Sequence, residues 1–124
     1  MKEAKQICPT TALGKVNKGA LMVDVRNKNE IAEVTFDVSN YINIPLNELE
    51  DRINELPKDK EIVMVCQSGE RSLRTTYYLM NAGFKNVYNM RDGIEKWALR
   101  GYPTKGDTKS LLIDGSCCSQ SNCC

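Results

Sequence analysis

Short apolar runs and helix-spaced apolar residues alternate along this chain. The runs are four to six residues long and predict buried strands over residues 20–25, 41–44, 62–65 and 86–90. The predicted helices cover residues 9–16, 46–56, 72–82 and 94–99, and residues 27–33 form a polar connection with one helical turn. Strands that alternate with helices predict an α/β fold with a mostly parallel central sheet and helices on both faces.

The sequence predicts the apolar face and the C-terminal end of two helices. Residues 46–56 predict one amphipathic helix that Pro57 stops, and its helix-spaced apolar residues are Leu46, Leu49, Ile53 and Leu56. The helix over residues 72–82 ends at Gly83, a typical C-cap. We expect its apolar face to consist of Leu73, Tyr77 and Met80.

A cysteine follows the central strand directly. Cys66 comes after the apolar run, and a small polar loop with Gly69 leads into the next predicted helix. Open α/β sheets place their binding crevice at the carboxyl ends of the strands. Loop amides and the helix N-terminus favour an anion at that point, and Arg71 adds a positive charge. We therefore expect Cys66 to ionise at a lower pH than a free thiol and to act as a nucleophile.

Composition narrows the chemistry that this thiol can use. The 124-residue chain has 17 Lys and Arg, 16 Asp and Glu, and no histidine. The missing imidazole excludes Ser-His-Asp and Cys-His mechanisms and every metal site that needs histidine. Backbone dipoles and cations must therefore activate any nucleophile.

Charge and hydropathy also limit the partners. The net charge is +1 and acids and bases are mixed along the chain, so there is no basic footprint for nucleic acid. No apolar run is long enough to span a membrane, and the N-terminus lacks the apolar region of a secretory signal. We expect a single cytoplasmic domain with no nucleic-acid or membrane partner.

The segment Cys66–Ser72 resembles the active loop of the rhodanese family, the single-domain sulfurtransferases. Further motifs come in the family's order, and they are Asp24–Arg26, Ile42–Leu46, Leu56–Lys60, Ala82–Val87 and Asp92–Trp97. The resemblance covers residues 8–103. It departs from the family in two places. Phe36–Tyr41 stands where the family often carries a Gly-His-Ile-Pro-Gly-Ala turn, and the C-terminus is rich in cysteine.

The resemblance implies a rhodanese-like fold over residues 1–103 and a transferase of the thiosulfate sulfurtransferase type. Cys66 would take sulfane sulfur from a thiosulfate-like donor, become a persulfide, and pass the outer sulfur to a thiol or cyanide. The backbone of residues 67–71 would bind the anion, and Arg71 would orient the loop or bind the donor. The implied substrate-binding residues are Gln67, Ser68, Gly69, Glu70 and Ser72.

The resemblance implies no cofactor. We expect a monomer whose partners are a small sulfur-containing anion as donor and a thiol or a protein as sulfur acceptor.

Several of these residues have a plainer interpretation. Cys66 could be an inert core thiol and Arg71 an ordinary surface residue. Glu70 either influences donor choice or, as we expect, points outward into solvent. The charged residues of the Asp24–Arg26 motif are expected to pin their strand through an ion pair or a hydrogen bond. Trp97 is expected to be a core aromatic.

Two other functions stay open. Protein tyrosine phosphatases and arsenate reductases also combine a loop cysteine with an arginine, but five residues separate the two. Here four residues separate Cys66 from Arg71, which favours sulfur transfer. The second alternative is a module that carries sulfur or a metal, or binds a partner, without turnover. An intact Cys66 argues against an inactive module.

Residues 104–124 change in composition and predict a flexible, cysteine-rich tail. Four of the six cysteines lie in its last eight residues, as Cys117, Cys118, Cys123 and Cys124. This crowding argues against a disulfide scaffold, and the spacing fits a structural zinc site poorly. The tail thiols could bind a soft metal ion or accept sulfur from Cys66. A tail with no fixed role is the interpretation that we favour.

Overall fold

A computed structural model of the chain describes residues 3–106, so the four tail cysteines lie outside the described residues. The elements are, in chain order, β1 (Lys5–Ile7), α1 (Pro9–Asn17), β2 (Leu21–Asp24), α2 (Lys28–Glu33), β3 (Val34–Phe36), β4 (Tyr41–Asn43), α3 (Leu49–Arg52), β5 (Ile62–Val65), α4 (Glu70–Asn81), β6 (Val87–Met90), α5 (Gly93–Leu99) and β7 (Thr104–Gly106). Most bounds agree with the predicted elements to within two residues.

Five strands form a parallel sheet in the order β1-β6-β5-β2-β4. β5 lies at its centre, where Val65 is in register with Asp24 of β2 and Met64 with Asn89 of β6. The predicted α/β fold with a mostly parallel sheet is confirmed. The carboxyl ends of β2, β5 and β6 meet at one edge, which is where Cys66 follows β5.

Both faces of the sheet are covered, which explains why β5 is apolar at every position. Val63 and Val65 belong to one buried cluster together with Trp97. Ile62 and Met64 belong to a second cluster on the other face, together with Leu79. Within the described residues, no helix is long and apolar enough to cross a membrane.

Trp97 is a core aromatic, as predicted. Its side chain is fully buried and packs edge-on against Phe36 at 5.2 Å and Tyr102 at 5.4 Å between ring centroids. Its indole N–H donates to the carbonyl of Pro103 at 2.8 Å, so the polar tip of the ring is satisfied.

The segment over residues 46–56 is not one helix, so that prediction is wrong. It consists of a 3₁₀ turn at Leu46–Glu48, the short α3, and a second 3₁₀ turn at Ile53–Glu55. A 3₁₀ turn rises about 2.0 Å per residue against about 1.5 Å in an α-helix, so the segment spans more distance with the same residues. Leu49 and Leu56 still reach the core, whereas Leu46 is exposed.

The predicted face of α4 is correct only in part, since Met80 is half-buried and packs against the cluster that contains Leu79. The residues buried against the sheet are Ser72, Thr75, Thr76 and Leu79, whereas Tyr77 is exposed. The threonine hydroxyls donate to the backbone carbonyl of Ser72 at 2.9 and 2.7 Å, which satisfies their polar atoms inside the protein. Small hydroxyl side chains thus occupy the face for which apolar spacing had selected longer side chains.

The sequence analysis missed three short strands, β1, β3 and β7. β1 pairs with β6 at an edge of the main sheet, and β3 pairs with β7 in a separate antiparallel ribbon. β7 consists of Thr104–Gly106, the first three residues that the prediction assigns to the tail. At least these three residues pack against the domain.

Candidate active site

Cys66 occupies the carboxyl end of β5, and α4 begins four residues later. The whole residue is buried, with no accessible surface. The loop between the two elements is therefore short, and it turns the backbone back over the sulfur atom. This position matches the strand-to-helix junction that the sequence predicts.

Two backbone N–H groups and one hydroxyl surround the Cys66 sulfur. The N–H of Gly69 donates to Sγ at 3.0 Å and the N–H of Ser72 at 3.4 Å. The Ser72 hydroxyl oxygen lies 3.3 Å from the same atom. Of these donors, Gly69 falls within the predicted range 67–71 and Ser72 just beyond it. Both N–H groups belong to the first turn of α4 or its N-cap, where they have no partner within the helix.

Two glycines let the loop pack tightly against the start of α5. Gly69 has a φ of 100°, and a Cβ there would lie 2.9 Å from the backbone nitrogen of Asp92. Gly93 has a φ of 59°, and a Cβ there would lie 2.4 Å from the carbonyl oxygen of Cys66. The carbonyls of Cys66 and Gln67 accept hydrogen bonds from Ile94 at 2.9 Å and Glu95 at 3.2 Å. The loop backbone is therefore held from both sides.

The remaining loop side chains differ in their surroundings. Gln67 donates through its side-chain amide to a carboxylate oxygen of Glu95 at 3.1 Å. Ser68 and Glu70 are exposed, so the Glu70 carboxylate lies in solvent at the first position of α4.

Arg71 does not present a free positive charge. Its guanidinium donates to both carboxylate oxygens of Glu30 on α2, at 2.7 and 2.8 Å. The hydrogen bond from Arg71 is the main reason that the pKa of Glu30 lies below its ordinary value. Glu30 also completes a capping box with Asn27, so it holds the start of α2 and the loop arginine together. The sequence analysis missed this partner, although the Asn-x-x-Glu spacing of the box was readable.

The sequence analysis also missed a second hydrogen-bond network, which runs from Ser72 beside the Cys66 sulfur to Asn89. The Ser72 hydroxyl donates to Oδ1 of Asn89 on β6. The Asn89 side-chain amide donates to the side-chain oxygen of Gln6 at 3.1 Å and to the carbonyl of Gly69 at 3.3 Å. These residues are separated by up to 83 positions, and only the sheet register brings them together.

A family model for the rhodanese-like domain matches residues 9–100 of the chain. The chain belongs to the rhodanese-like domain family. A curated sulfurtransferase of Allochromatium vinosum is 39% identical over 67% of this chain and 76% of its own length. The thiosulfate sulfurtransferase GlpE of Pseudomonas syringae is 33% identical over 78% of this chain and 90% of its own length.

Solved structures of rhodanese-like proteins share the fold. A rhodanese-related protein from Thermoplasma volcanium superposes with a TM-score of 0.74 at 28% identity, covering 83% of this chain and 99% of that one. A rhodanese-like domain protein from Staphylococcus aureus gives a TM-score of 0.68 at 27% identity, covering 75% and 90%.

In this rhodanese-like domain, the segment that departs from the family's histidine-containing turn supplies a half-buried tyrosine, Tyr41. Arg26 and Asp24 form the predicted ion pair, with Nη2 and Oδ2 2.7 Å apart and both side chains buried. The Tyr41 hydroxyl donates to the same Oδ2 at 2.8 Å. Burial, and next the Asp24 charge, raise the pKa of Tyr41, so the phenol stays neutral. The trio holds the end of β2 beside the active loop.

This rhodanese-like domain has no cluster of three or more Cys, Asp or Glu side chains that could hold a metal ion, as far as residues 3–106 are concerned.

Proposed function

We propose that this chain is a sulfurtransferase that moves sulfane sulfur from a thiosulfate-like donor to a thiol or cyanide acceptor through a Cys66 persulfide. The observation that carries the proposal is the convergence of the Gly69 and Ser72 N–H groups on the Cys66 sulfur. The names of the relatives support it, since they include a sulfurtransferase and a thiosulfate sulfurtransferase.

The proposed reaction has two displacement steps at sulfur. The Cys66 thiolate attacks the outer sulfur of thiosulfate, the donor S–S bond breaks, and sulfite leaves with the electron pair. Cys66 then carries a persulfide with the negative charge on its outer sulfur. The acceptor attacks that outer sulfur, the persulfide S–S bond breaks, and the electron pair returns to Sγ. Each bond that breaks is matched by one that forms, so no separate oxidant or reductant is needed.

The hydrogen bonds around Cys66 fit this cycle. Sγ is negatively charged before loading and again after transfer, and donors that are already in place stabilise such charge without reorganisation. The two N–H groups come from the start of a twelve-residue helix, whose positive end adds to the effect. No histidine is needed for this activation.

Burial of the thiol favours a small donor. Cys66 has no accessible surface, and the loop backbone folds over it between β5 and α4. A compact sulfur anion needs only local movement of the loop to reach Sγ, whereas a bulky reagent needs the loop to open. We therefore expect thiosulfate to load Cys66 faster than an aryl thiosulfonate does.

The phosphatase alternative fits the arginine poorly. Phosphatase chemistry needs the guanidinium to hold an oxyanion above the cysteine. The two terminal nitrogens of the Arg71 guanidinium each donate to a carboxylate oxygen of Glu30, so the ion pair is bidentate. We propose that Arg71 mainly orients the loop by tying it to α2.

The proposal is tested by intact-mass measurement after incubation with thiosulfate. Wild-type protein should gain one sulfur atom, and cyanide should remove it as thiocyanate. Cys66→Ser should show no gain and no thiocyanate formation, with an unchanged circular dichroism spectrum. A sulfur gain or substantial turnover in the folded Cys66→Ser protein would refute the assignment of the nucleophile.

The matched control removes the other candidate thiols. A variant with serine in place of all four tail cysteines, Cys117, Cys118, Cys123 and Cys124, should load Cys66 and form thiocyanate like the wild type. Slower delivery to a thiol acceptor in this variant, with normal delivery to cyanide, would support a relay through the tail. Loss of bound metal with both transfers normal would instead support a metal site. If neither the two transfers nor the metal content changes, the result supports a tail with no fixed role.

A further inference from the structure

The side-chain amide of Asn89 has one orientation. The carbonyl oxygen of Gly69 accepts only, and it lies 3.3 Å from Nδ2 of Asn89. The amide nitrogen must therefore face Gly69, and Oδ1 must face the Ser72 hydroxyl. Asn89 itself is 1% exposed and sits on β6, the strand next to β5, so packing and the strand fix its position.

The orientation of Asn89 determines what the Ser72 hydroxyl can do. An amide oxygen has no proton, so the Ser72 hydroxyl is the donor in this bond and uses its single proton there. The same hydroxyl oxygen is 3.3 Å from Cys66 Sγ and offers it only lone pairs. A protonated thiol can donate to that oxygen, which gives a chain of bonds from Cys66 through Ser72 to Asn89.

Loss of the thiol proton changes this chain. The thiolate sulfur and Oδ1 of Asn89 are both acceptors, and they compete for the one proton of Ser72. We infer that Asn89 is a positioning residue that draws the Ser72 hydroxyl proton away from the Cys66 sulfur and so favours the protonated thiol. The two backbone N–H groups act in the opposite sense, because their hydrogen bonds to Sγ are stronger when the sulfur is a thiolate.

The consequence for catalysis rests on the proposed function. In the persulfide, the charge lies on the outer sulfur and Sγ needs no donor, so the Ser72 hydroxyl can stay on Asn89. When an acceptor takes the outer sulfur, charge returns to Sγ and the hydroxyl can rotate towards it. Asn89 thus raises the free energy of the thiolate relative to the persulfide, which favours loading over release.

The charged groups near the thiol are left unchanged by the test. They are Arg71 on α4, its partner Glu30 on α2, the Asp24 and Arg26 pair at the end of β2, Glu95 on α5, the exposed Glu70, and the exposed Arg91 and Asp92 that follow β6 beside Gly69. Asn89, Ser72 and Gln6 are neutral. A change in thiol ionisation on replacing them therefore reports the hydrogen bonds and not an altered charge.

The test measures alkylation of Cys66 by iodoacetamide as a function of pH, followed on the Cys66 peptide by mass spectrometry. Asn89→Leu removes the acceptor and leaves the Ser72 hydroxyl free to donate to the thiolate. We expect the alkylation midpoint to fall by about one pH unit, which is about tenfold more thiolate at a pH below the midpoint. No sulfur donor is used, so this result does not depend on the proposed transfer activity.

The sign of the shift separates this role from a structural one. The Gly69 carbonyl also accepts from Leu73 at 3.2 Å and stays satisfied in the variant. If Asn89 merely held the loop, its loss would loosen the N–H donors and raise the midpoint. An unchanged or raised midpoint in a folded Asn89→Leu protein overturns the inference. Asn89→Val, which suits a strand, serves if the leucine variant does not fold.

Two further variants test the route through Ser72. In a Ser72→Ala background there is no hydroxyl to redirect, so adding Asn89→Leu should not move the midpoint. A drop of similar size in that background overturns the inference, because Asn89 would then act by another route. Gln6→Leu removes a partner on the far side of Asn89 and keeps its acceptor oxygen, and it should leave the midpoint at the wild-type value.

Discussion

Gly93→Ala puts a methyl group into the tightest backbone contact beside the active loop. The new Cβ would lie 2.2 Å from the carbonyl oxygen of Gln67 and 2.4 Å from that of Cys66. Ordinary contact begins near 3.4 Å, so the two segments must separate by about 1 Å. The same two carbonyls accept hydrogen bonds from the first turn of α5. The substitution therefore acts directly on the loop that carries the thiol.

Three costs add up at this position. A left-handed conformation, with φ at 59°, costs an alanine about 1 kcal/mol. Forcing the overlap apart costs about 1–3 kcal/mol. Weakening the hydrogen bonds from Ile94 and Glu95 costs about 1 kcal/mol each. The total is about 4–6 kcal/mol, against a usual stability of about 5–15 kcal/mol for a domain.

Gly101→Ala is the matched control. Gly101 also has a positive φ, 76°, but a Cβ there meets nothing within 4 Å. Only the backbone strain of about 1 kcal/mol remains, which corresponds to about 4 °C in melting temperature for a chain of this size. We expect Gly93→Ala to lower the melting temperature by at least about 15 °C, or to prevent folding.

The assay is thermal unfolding followed by circular dichroism, with thiocyanate formation measured on whatever folds at low temperature. Gly101→Ala should keep wild-type activity, whereas any folded Gly93→Ala protein should be strongly impaired. Equal losses of stability in the two variants would refute the argument, because strain alone would then explain both and the close contact with the loop would carry no cost.

Two further predictions concern side chains around the loop. Glu30→Gln keeps an oxygen for the capping box and removes the charge that pairs with Arg71, so it should cost about 1 kcal/mol at pH 7. Because folding lowers the pKa of Glu30, this stabilisation is present above its ordinary value near 4.5 and is lost as the pH falls through the folded pKa. Denaturant unfolding at pH 7 and pH 3 should therefore show a smaller difference at pH 3, and an equal difference at both would contradict the ion pair. Tyr41→Phe removes hydrogen bonds to Thr35 and Asp24, so it should lower the free energy of unfolding by about 1–2 kcal/mol and leave thiocyanate formation unchanged. A large loss of turnover in a folded variant would show that Asp24, Arg26 and Tyr41 do more than support β2.

The sheet and the loop could be predicted because their signals are local. The run over 62–65 is apolar at every position, and Cys66 follows it directly. Because Cys66 comes directly after this strand, its thiol could be placed at the carboxyl edge of the sheet from the sequence. The family motifs then came in order along the chain, and the domain match over residues 9–100 agrees with them.

The error in the predicted face of α4 has a general cause. Apolar spacing selects the largest hydrophobic side chains, but Thr75 and Thr76 satisfy their hydroxyls on the carbonyl of Ser72 and can be buried at little cost. The three-residue strands β1, β3 and β7 are too short for an alternating pattern to stand out.

The partners of the site residues could not be read because they come from distant parts of the chain. Glu30 reaches Arg71 across 41 positions, and Asn89 reaches Ser72 across 17. Such contacts depend on strand order and register, which a single sequence does not specify.

The hydrogen bonds from α5 to the loop carbonyls set a lower limit on the piece of chain that can work by itself. N–H groups at the start of α4 donate to the Cys66 sulfur. The N–H groups of Ile94 and Glu95 donate to the loop carbonyls of Cys66 and Gln67. Transplanting residues 62–81 onto another parallel sheet would therefore carry the thiol without the element that shapes its loop. A transferable version must extend through Glu95 at least, and a chain cut at Met90 should retain the nucleophile but lose its geometry.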